Sequence, residues 1–330
     1  MTATDRETLD IFERSLRGSL GSGAPGTAET EAVAAALDEL GWRDFLGADA
    51  QAAVPLLFEL SGELLVASTA LDDVAFAALH AGADEWLTEA ASTAFGHPRH
   101  GTAGAAMTDA GLAVDAVVLG ARRALPITMI ATVDGELVAV TITADALERV
   151  SVGGIDPSMG LVRVRGVVPA AAVAVRRDLA PVAVAVACRR ALAYELLGAS
   201  NAMLANAADY AKVRVQFGQP IGAFQAVKHR LAVVYVGVRA AAVVTDESWR
   251  SEPGLMTLAA KSLAGRAFAL AAENCLQVLG AIGFTLDHDL HRFIRRGKVL
   301  DRLYGSERDL RVELGTALRA RGRMPRPGTP

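Results

Sequence analysis

The sequence predicts a mainly helical α+β protein in three parts: a helical N-terminal domain, a small β domain in the middle and a C-terminal helical bundle. Three observations carry this prediction. Apolar residues step by three and four at both ends of the chain, and two β-branched runs flank an Asp-Gly pair at its centre. Of the 330 residues 52% are apolar and only 21% charged, enough to bury a sizeable core in two or three domains.

In chain order, Thr27 is placed to cap a helix whose Val33, Leu37 and Leu40 share a face, with Gly41 where a left-handed residue ends helices. Leu56, Leu57, Leu60, Leu64 and Leu65 repeat the pattern, as do Val74, Phe76 and Leu79. Gly18, Gly21 and Gly23 follow no strand, so they read as a flexible loop and not as a dinucleotide fingerprint. The period changes near residue 105. Ile127 to Val133 and Leu137 to Ile142 are strands joined by Asp134-Gly135, a pair that tolerates the positive φ of a tight hairpin, and Leu161 to Val168 adds a third run after Asp156-Pro157. From Pro169 the helical period returns. Leu192, Leu196, Ala199, Met203, Ala207 and Tyr210 form one stripe; Phe224, Val227, Leu231, Val234 and Val238 form the next. Ser251-Glu252-Pro253 opens a third helix through Leu255, Ala259, Leu263 and Ala267. The spans are therefore 1–104, 105–168 and 169–330, the last ending in a tail, RGRMPRPGTP, with little to bury.

Composition narrows the function. A net charge of −4 without a basic stripe excludes the electrostatic footprint of a nucleic-acid binder. The most apolar stretch, Val167 to Cys188, is broken by Arg176, Arg177, Asp178 and Pro181, so no membrane span is expected. The acidic, polar start lacks the basic-then-apolar order of a signal peptide, which predicts a cytoplasmic protein. Cys188 and Cys275 are too few for a disulfide framework and lack metal-ligand spacing, so both are expected as reduced thiols.

Two stretches are specific. Residues 209–230, DYAKVRVQFGQPIGAFQAVKHR, resemble the signature between two C-terminal helices of acyl-CoA dehydrogenases. Residues 277–284, QVLGAIGF, followed by Asp287-His288-Asp289 and Arg295, are similar to that family's glutamine-glycine loop and the helix after it, and Ile155-Asp156-Pro157 resembles its Leu-Asp-Pro segment. The resemblance covers most of the chain, most specifically residues 190–310. It implies the family's fold, with a C-terminal four-helix bundle, and FAD as cofactor. It also implies that Arg214, Phe217, Gln225, Gln277, Val278, Leu279, Gly280 and Ala281 touch the ADP part of FAD across a subunit interface. The residue types agree: Arg214 offers a forked cation for a pyrophosphate, the glutamines neutral polar contacts and Gly280 close backbone approach. On residues alone, Arg214 capping a helix and Phe217 filling a core stay open.

The chain also departs from the family. Removal of the proton beside a thioester carbonyl needs a carboxylate. Matching from Arg295 and Gly305 puts Tyr304 at one family base position, and counting back from Arg214 and Gly198 puts Cys188 at the other. A tyrosine with a pKa near 10 is a poor base at pH 7, and apolar surroundings raise a cysteine further. Asp301, about 5 Å along the helix from Tyr304, is a weak candidate base, its plain alternative being a surface salt bridge with Lys298 or Arg302. Glu195, about 10 Å beyond Cys188, reads as a solvated or interface charge. The family's Thr-Glu-Pro-Gly-Ala-Gly-Ser type loop, which holds the flavin ring, has only Met107-Thr108-Asp109-Ala110-Gly111 as a counterpart. The resemblance thus implies the short, base-less subunit of a heterotetrameric bacterial dehydrogenase of steroid side-chain degradation. A homologous full-length subunit would be its partner, an acyl-CoA its substrate and an electron-transfer flavoprotein or similar acceptor its oxidant. A self-sufficient dehydrogenase using Asp301 and a helical scaffold that binds no flavin are the alternatives.

Overall fold

A computed structural model of the protein describes residues 6–20, 30–120, 126–142, 147–251 and 253–322. The expected cap at Thr27, the glycines at 21 and 23 and most of the C-terminal tail lie outside these residues. The N-terminal helices are α1 (Arg6–Leu20), α2 (Thr30–Glu39), α3 (Trp42–Ala48), α4 (Ala50–Leu64), α5 (Ala70–Leu79) and α6 (Glu85–Ser92). Val33, Leu37, Leu57, Leu60 and Leu79 are buried as their spacing predicts, and Gly41 has φ +70° between α2 and α3.

The sheet contains β1 (Ala94–Pro98), β2 (Ala105–Thr108), β3 (Gly111–Val118), β4 (Ile127–Val133), β5 (Glu136–Ile142), β6 (Glu148–Ser151), β7 (Val162–Val168) and β8 (Val173–Arg176). Its order is β6-β7-β3-β1-β4-β5-β8, with β2 pairing both β3 and β4. Asp134 and Gly135 take φ 52° and 80°, the left-handed pair that closes β4 onto β5 with Val133 opposite Glu136. The sheet is wider at both ends than the span 105–168. β1 reads Ala-Phe-Gly-His-Pro with every residue buried, so it has neither the alternation nor the β-branched content that signals a strand.

The C-terminal helices are α7 (Pro181–Val213), α8 (Gln225–Glu247), α9 (Pro253–Leu279), α10 (Leu290–Arg302) and α11 (Glu307–Arg321), with a short hairpin, β9 (Val215–Gln216) and β10 (Gln219–Pro220), between α7 and α8. Every residue from Cys188 to Ser200 is buried, because α7 is covered by α4 and α5 from the N-terminal domain and by α8, α9 and α10 of its own. With its 3-10 extension to Phe284, α9 is long and apolar enough to cross a membrane on length and composition. In this fold it packs on α7, α8, α10 and α11 and carries the buried Lys261.

The two helical domains meet backbone to backbone. A Cβ at Gly198 of α7 would sit 2.0 Å from the carbonyl oxygen of Glu59 on α4, and one at Gly62 of α4 would sit 2.0 Å from that of Glu195 on α7. Only glycine at both positions allows this approach, which closes the space between α4 and α7. Gly198→Ala should therefore force the helices apart, at a cost of about 1–3 kcal/mol or more. A thermal midpoint equal to that of the parent would contradict the close contact.

Candidate functional site

One end of the bundle collects most of the residues singled out by the sequence. α7 and α8 run antiparallel, as do α8 and α9; Tyr194 donates to Asp246 (2.9 Å) and Arg230 to Asn274 (3.1 Å). The C-terminus of α7, the N-terminus of α8 and the C-terminus of α9 thus finish together. Arg214 follows α7; its N–H donates to the Tyr210 carbonyl (2.9 Å) and its carbonyl accepts from the Ile221 N–H (2.8 Å). Its backbone caps the helix, but its exposed guanidinium has no partner among the described residues. Phe217 does not fill a core. At φ 53° beside Gly218 at 78°, it tips the hairpin and is 91% exposed, edge-on to Phe224 at 6.1 Å.

Gln225 begins α8 and Gln277 lies on the last turn of α9; both are exposed, and among the described residues neither amide has a partner. Val278 and Leu279 send their side chains into the core, leaving only backbone to offer a ligand. Gly280 has φ 64° with open space where a Cβ would stand, and Ala281 is exposed. A free guanidinium, two free amides and a bare aromatic ring form a donor and stacking set suited to a phosphate-bearing aromatic nucleotide.

A second region is a cavity of about 1390 Å³ between the sheet and α9–α10. Phe268, Leu276 and Ile294 give it an apolar wall, while Arg266, Lys298 and Arg302 add cationic heads. Arg99 and His100, from the β1–β2 connection, also reach it. The sequence did not single out these two, since an exposed Arg-His pair in a Gly-rich loop carries no periodic signal. Arg163 grips Asp115 through two hydrogen bonds of 2.8 Å, and this pairing holds the Asp115 carboxyl below its ordinary range. Met107 to Gly111 do not line the cavity. Thr108 pairs with Gly111, and its hydroxyl donates to the Gly111 carbonyl (2.7 Å), so the segment is a tight turn between β2 and β3.

The two inferred base positions meet in space. Tyr304 and Cys188 are fully buried and the thiol lies against the tyrosine hydroxyl. That hydroxyl is 3.0 Å from Nδ1 of His97, whose Nε2 is 2.6 Å from Oδ1 of Asp72. Neither His97 nor Asp72 is exposed, and neither was singled out from sequence: one lies in the unrecognised β1, the other on an α5 face that reads as acidic surface. The Tyr304 N–H donates to the Pro98 carbonyl (3.3 Å) and the Tyr304 carbonyl accepts from Arg189 (3.1 Å), so every polar atom of Tyr304 is engaged. Burial raises the Tyr304 phenol well above its ordinary value and the Cys188 thiol to about 12. A nearby void, between Phe58, Leu192, Glu195 and Leu300, measures about 20 Å³, room for one water and not for an acyl chain.

The displaced carboxylates behave differently from their expected roles. Asp301 lines the cavity, but its Oδ1 accepts from the Glu307 N–H (2.8 Å) at the start of α11; among the described residues it pairs with neither Lys298 nor Arg302. Glu195 is buried, not solvated. It lies 3.6 Å from Arg296, and burial raises its carboxyl to about 7 against that pairing. Beneath the Asp301–Gly305 turn, Lys261 is wholly buried and donates to the carbonyls of Asp301 (3.0 Å) and Gly305 (2.6 Å). Among the described residues no group of three or more His, Cys, Asp or Glu is placed to hold a metal ion.

A helical domain, a β domain and a helical bundle in this arrangement define the acyl-CoA dehydrogenase fold. Residues 170–312 match the family described as acyl-CoA dehydrogenase, C-terminal domain, and that part of the chain is such a domain. The chain is 38% identical over 119 residues to the acyl-CoA dehydrogenase IpdE2 of Mycobacterium tuberculosis, covering 36% of this chain and 37% of that one. The match therefore spans little more than a third of that relative's length. Among solved structures, a variant of the Tcur3481-Tcur3483 steroid ACAD superposes with a TM-score of 0.71 at 23% identity, covering 96% of this chain and 98% of the other. The ChsE4-ChsE5 complex from Mycobacterium tuberculosis gives 0.71 at 21%, covering 99% and 100%. These two likenesses extend the fold over the whole chain.

Two outcomes follow from the buried groups. Tyr304→Phe leaves His97 and Cys188 facing an apolar edge, so stability should fall by about 1–3 kcal/mol, read as a lower thermal midpoint; an unchanged midpoint would argue against the His97 contact. Burial lowers Lys261 to about 7. Between there and the ordinary lysine range near 10.4, the unfolded chain binds a proton that the folded chain lacks, so stability rises with pH across that window. The thermal midpoint of the parent relative to Lys261→Met should climb from pH 7 to about pH 10, and a flat difference would count against the assignment.

Proposed function

We propose that the chain is a subunit of an FAD-dependent acyl-CoA dehydrogenase in which it holds the ADP side of the cofactor while a homologous partner supplies the catalytic carboxylate. The observation that carries this is the contrast between the two regions. Both base positions hold non-carboxylates sealed into a hydrogen-bonded core, whereas the bundle end leaves a guanidinium, two amides and an aromatic ring uncovered. FAD fits that donor set: Arg214 would pair with the pyrophosphate, Phe217 would pack against the nucleotide, and Gln225, Gln277 and the backbone at Gly280 and Ala281 would meet its polar edges. When bound, FAD supplies the hydride acceptor for α,β-desaturation of the thioester.

A steroid side-chain thioester as substrate rests on the name of the steroid ACAD alone. An electron-transfer flavoprotein or similar acceptor would then reoxidise the flavin. The self-sufficient reading would use Asp301, one of whose oxygens already serves the α11 N-terminus.

The test is co-expression with a full-length acyl-CoA dehydrogenase encoded beside it, followed by measurement of stoichiometry and flavin content. A yellow complex containing both chains is expected; protein that stays colourless and unassociated with every candidate partner would support the scaffold alternative. Arg214→Ala should weaken flavin retention by the complex by roughly 10- to 150-fold, the equivalent of about 1.5–3 kcal/mol for a charge-assisted contact. Unchanged flavin affinity would remove Arg214 from the site.

A further inference from the structure

Arg295 belongs to the second of the two motifs singled out in the sequence, yet the flavin reading gives it no part. It lines a hollow of about 410 Å³ set between α10, the residue that follows α4 and the Asp156–Ser158 turn. The hollow shares no residue with the proposed flavin contacts, and its volume lies in the range of small-molecule sites, roughly 300–1,000 Å³. Its lining is cationic. His291 and Arg292 stand one turn before Arg295 on α10, and the buried Arg296 adds a third guanidinium. Among the described residues that line it the carboxylate is Asp156, which Arg296 already takes at 2.6 Å. Arg292 leans on Asp289 at 3.4 Å, outside the hollow. Glu195 stands 3.6 Å from Arg296, but burial raises its carboxyl to about 7, so at neutral pH it answers that guanidinium only in part. Arg295 is exposed and has no hydrogen-bond or ion-pair partner among the described residues.

The geometry points to a site for a phosphate monoester in this hollow, held by Arg292, Arg295 and His291. Two guanidinium groups one turn apart and a ring nitrogen offer more directions of approach than a planar carboxylate can answer, whereas a phosphate presents three oxygens on a tetrahedron. His291 donates through Nδ1 to the His288 carbonyl (2.8 Å), which leaves Nε2 for a ligand. That nitrogen serves either ionic form: it accepts from the hydroxyl of a phosphate monoanion and, once protonated, donates to the dianion. Leu65, Pro157 and Leu286 give the lining its apolar part, suited to the organic group that the phosphate esterifies. The inference goes beyond the flavin reading and does not need it, since a chain that binds no flavin would still carry this hollow.

The experiment is titration calorimetry on the full chain, alone and in its complex with the partner, at constant ionic strength with chloride as the background anion. Phenyl phosphate should bind saturably at one site per chain, and benzoate should bind about tenfold more weakly or less. Arg295→Gln, at an exposed position where folding does not depend on the charge, should weaken phenyl phosphate by about tenfold or more. Arg214→Gln should leave that affinity unchanged. Inorganic phosphate separates the two sources of the anion: weaker binding than phenyl phosphate assigns the site to an organic monoester, and equal binding assigns it to the free ion. No saturable binding of either phosphate, benzoate binding as tightly as phenyl phosphate, or a loss in Arg214→Gln with Arg295→Gln unaffected would overturn the proposal.

Discussion

Arg296 is the side chain on which the three parts of the molecule converge. From α10, and only 1% exposed, it donates to Asp156 of the β domain at 2.6 Å and to the carbonyls of Val66 and Leu65 (2.9 and 3.1 Å) just beyond α4. It also approaches Ser158 at 3.3 Å and Glu195 of α7 at 3.6 Å. A guanidinium is suited to this because its five donors are fixed in one plane and its charge survives burial. Leu65 is left-handed at φ 55°, so the carbonyls that close α4 are aimed by backbone geometry and held by a charge. Removing one partner from such a cluster strands the others in a dry interior, typically at 3–5 kcal/mol. Arg296 thus ties the sheet, through Asp156, to the end of α4, three residues beyond the Gly62 contact with α7.

Much of this was legible beforehand, and what was not has physical reasons. The Asp134-Gly135 hairpin, the α7 stripe and the turn at Asp156-Pro157 were readable because each depends on local chemistry. Arg296 was not distinguished from Arg295. The two are adjacent on one helix, and tertiary contacts alone decide that one is buried while the other stands exposed beside a hollow of about 410 Å³. β1 escaped notice because a short strand buried on both faces loses its alternation, and with it went His97. The site divides similarly. The bundle-end residues came as two contiguous motifs, whereas the Asp72, His97, Cys188 and Tyr304 contacts join segments from every part of the chain.

That buried chain also bears on the proposal that the catalytic carboxylate comes from a partner. An ionised carboxylate in the place of Tyr304 would need solvent, a cavity or a counter-charge. Phenol, imidazole, thiol and carboxylate instead satisfy one another. The ring series Phe76, Phe95, His97 and Tyr304, with neighbouring centroids 5.2 to 5.6 Å apart, carries the packing from α5 through β1 to the start of α11. Tyr304 is thereby part of the core.

The hairpin between α7 and α8 has a consequence for the cell. Its positive-φ turn holds Phe217 away from the bundle, and Phe284 and Leu286, beyond α9, are 76% and 75% exposed. Rings and aliphatics held in water by a rigid backbone cannot fold back to hide themselves, and exposed apolar groups of this kind favour aggregation and chaperone capture. Under the proposed assembly, a chain made in excess of its partner would keep this surface bare and would be the one cleared or lost to precipitation.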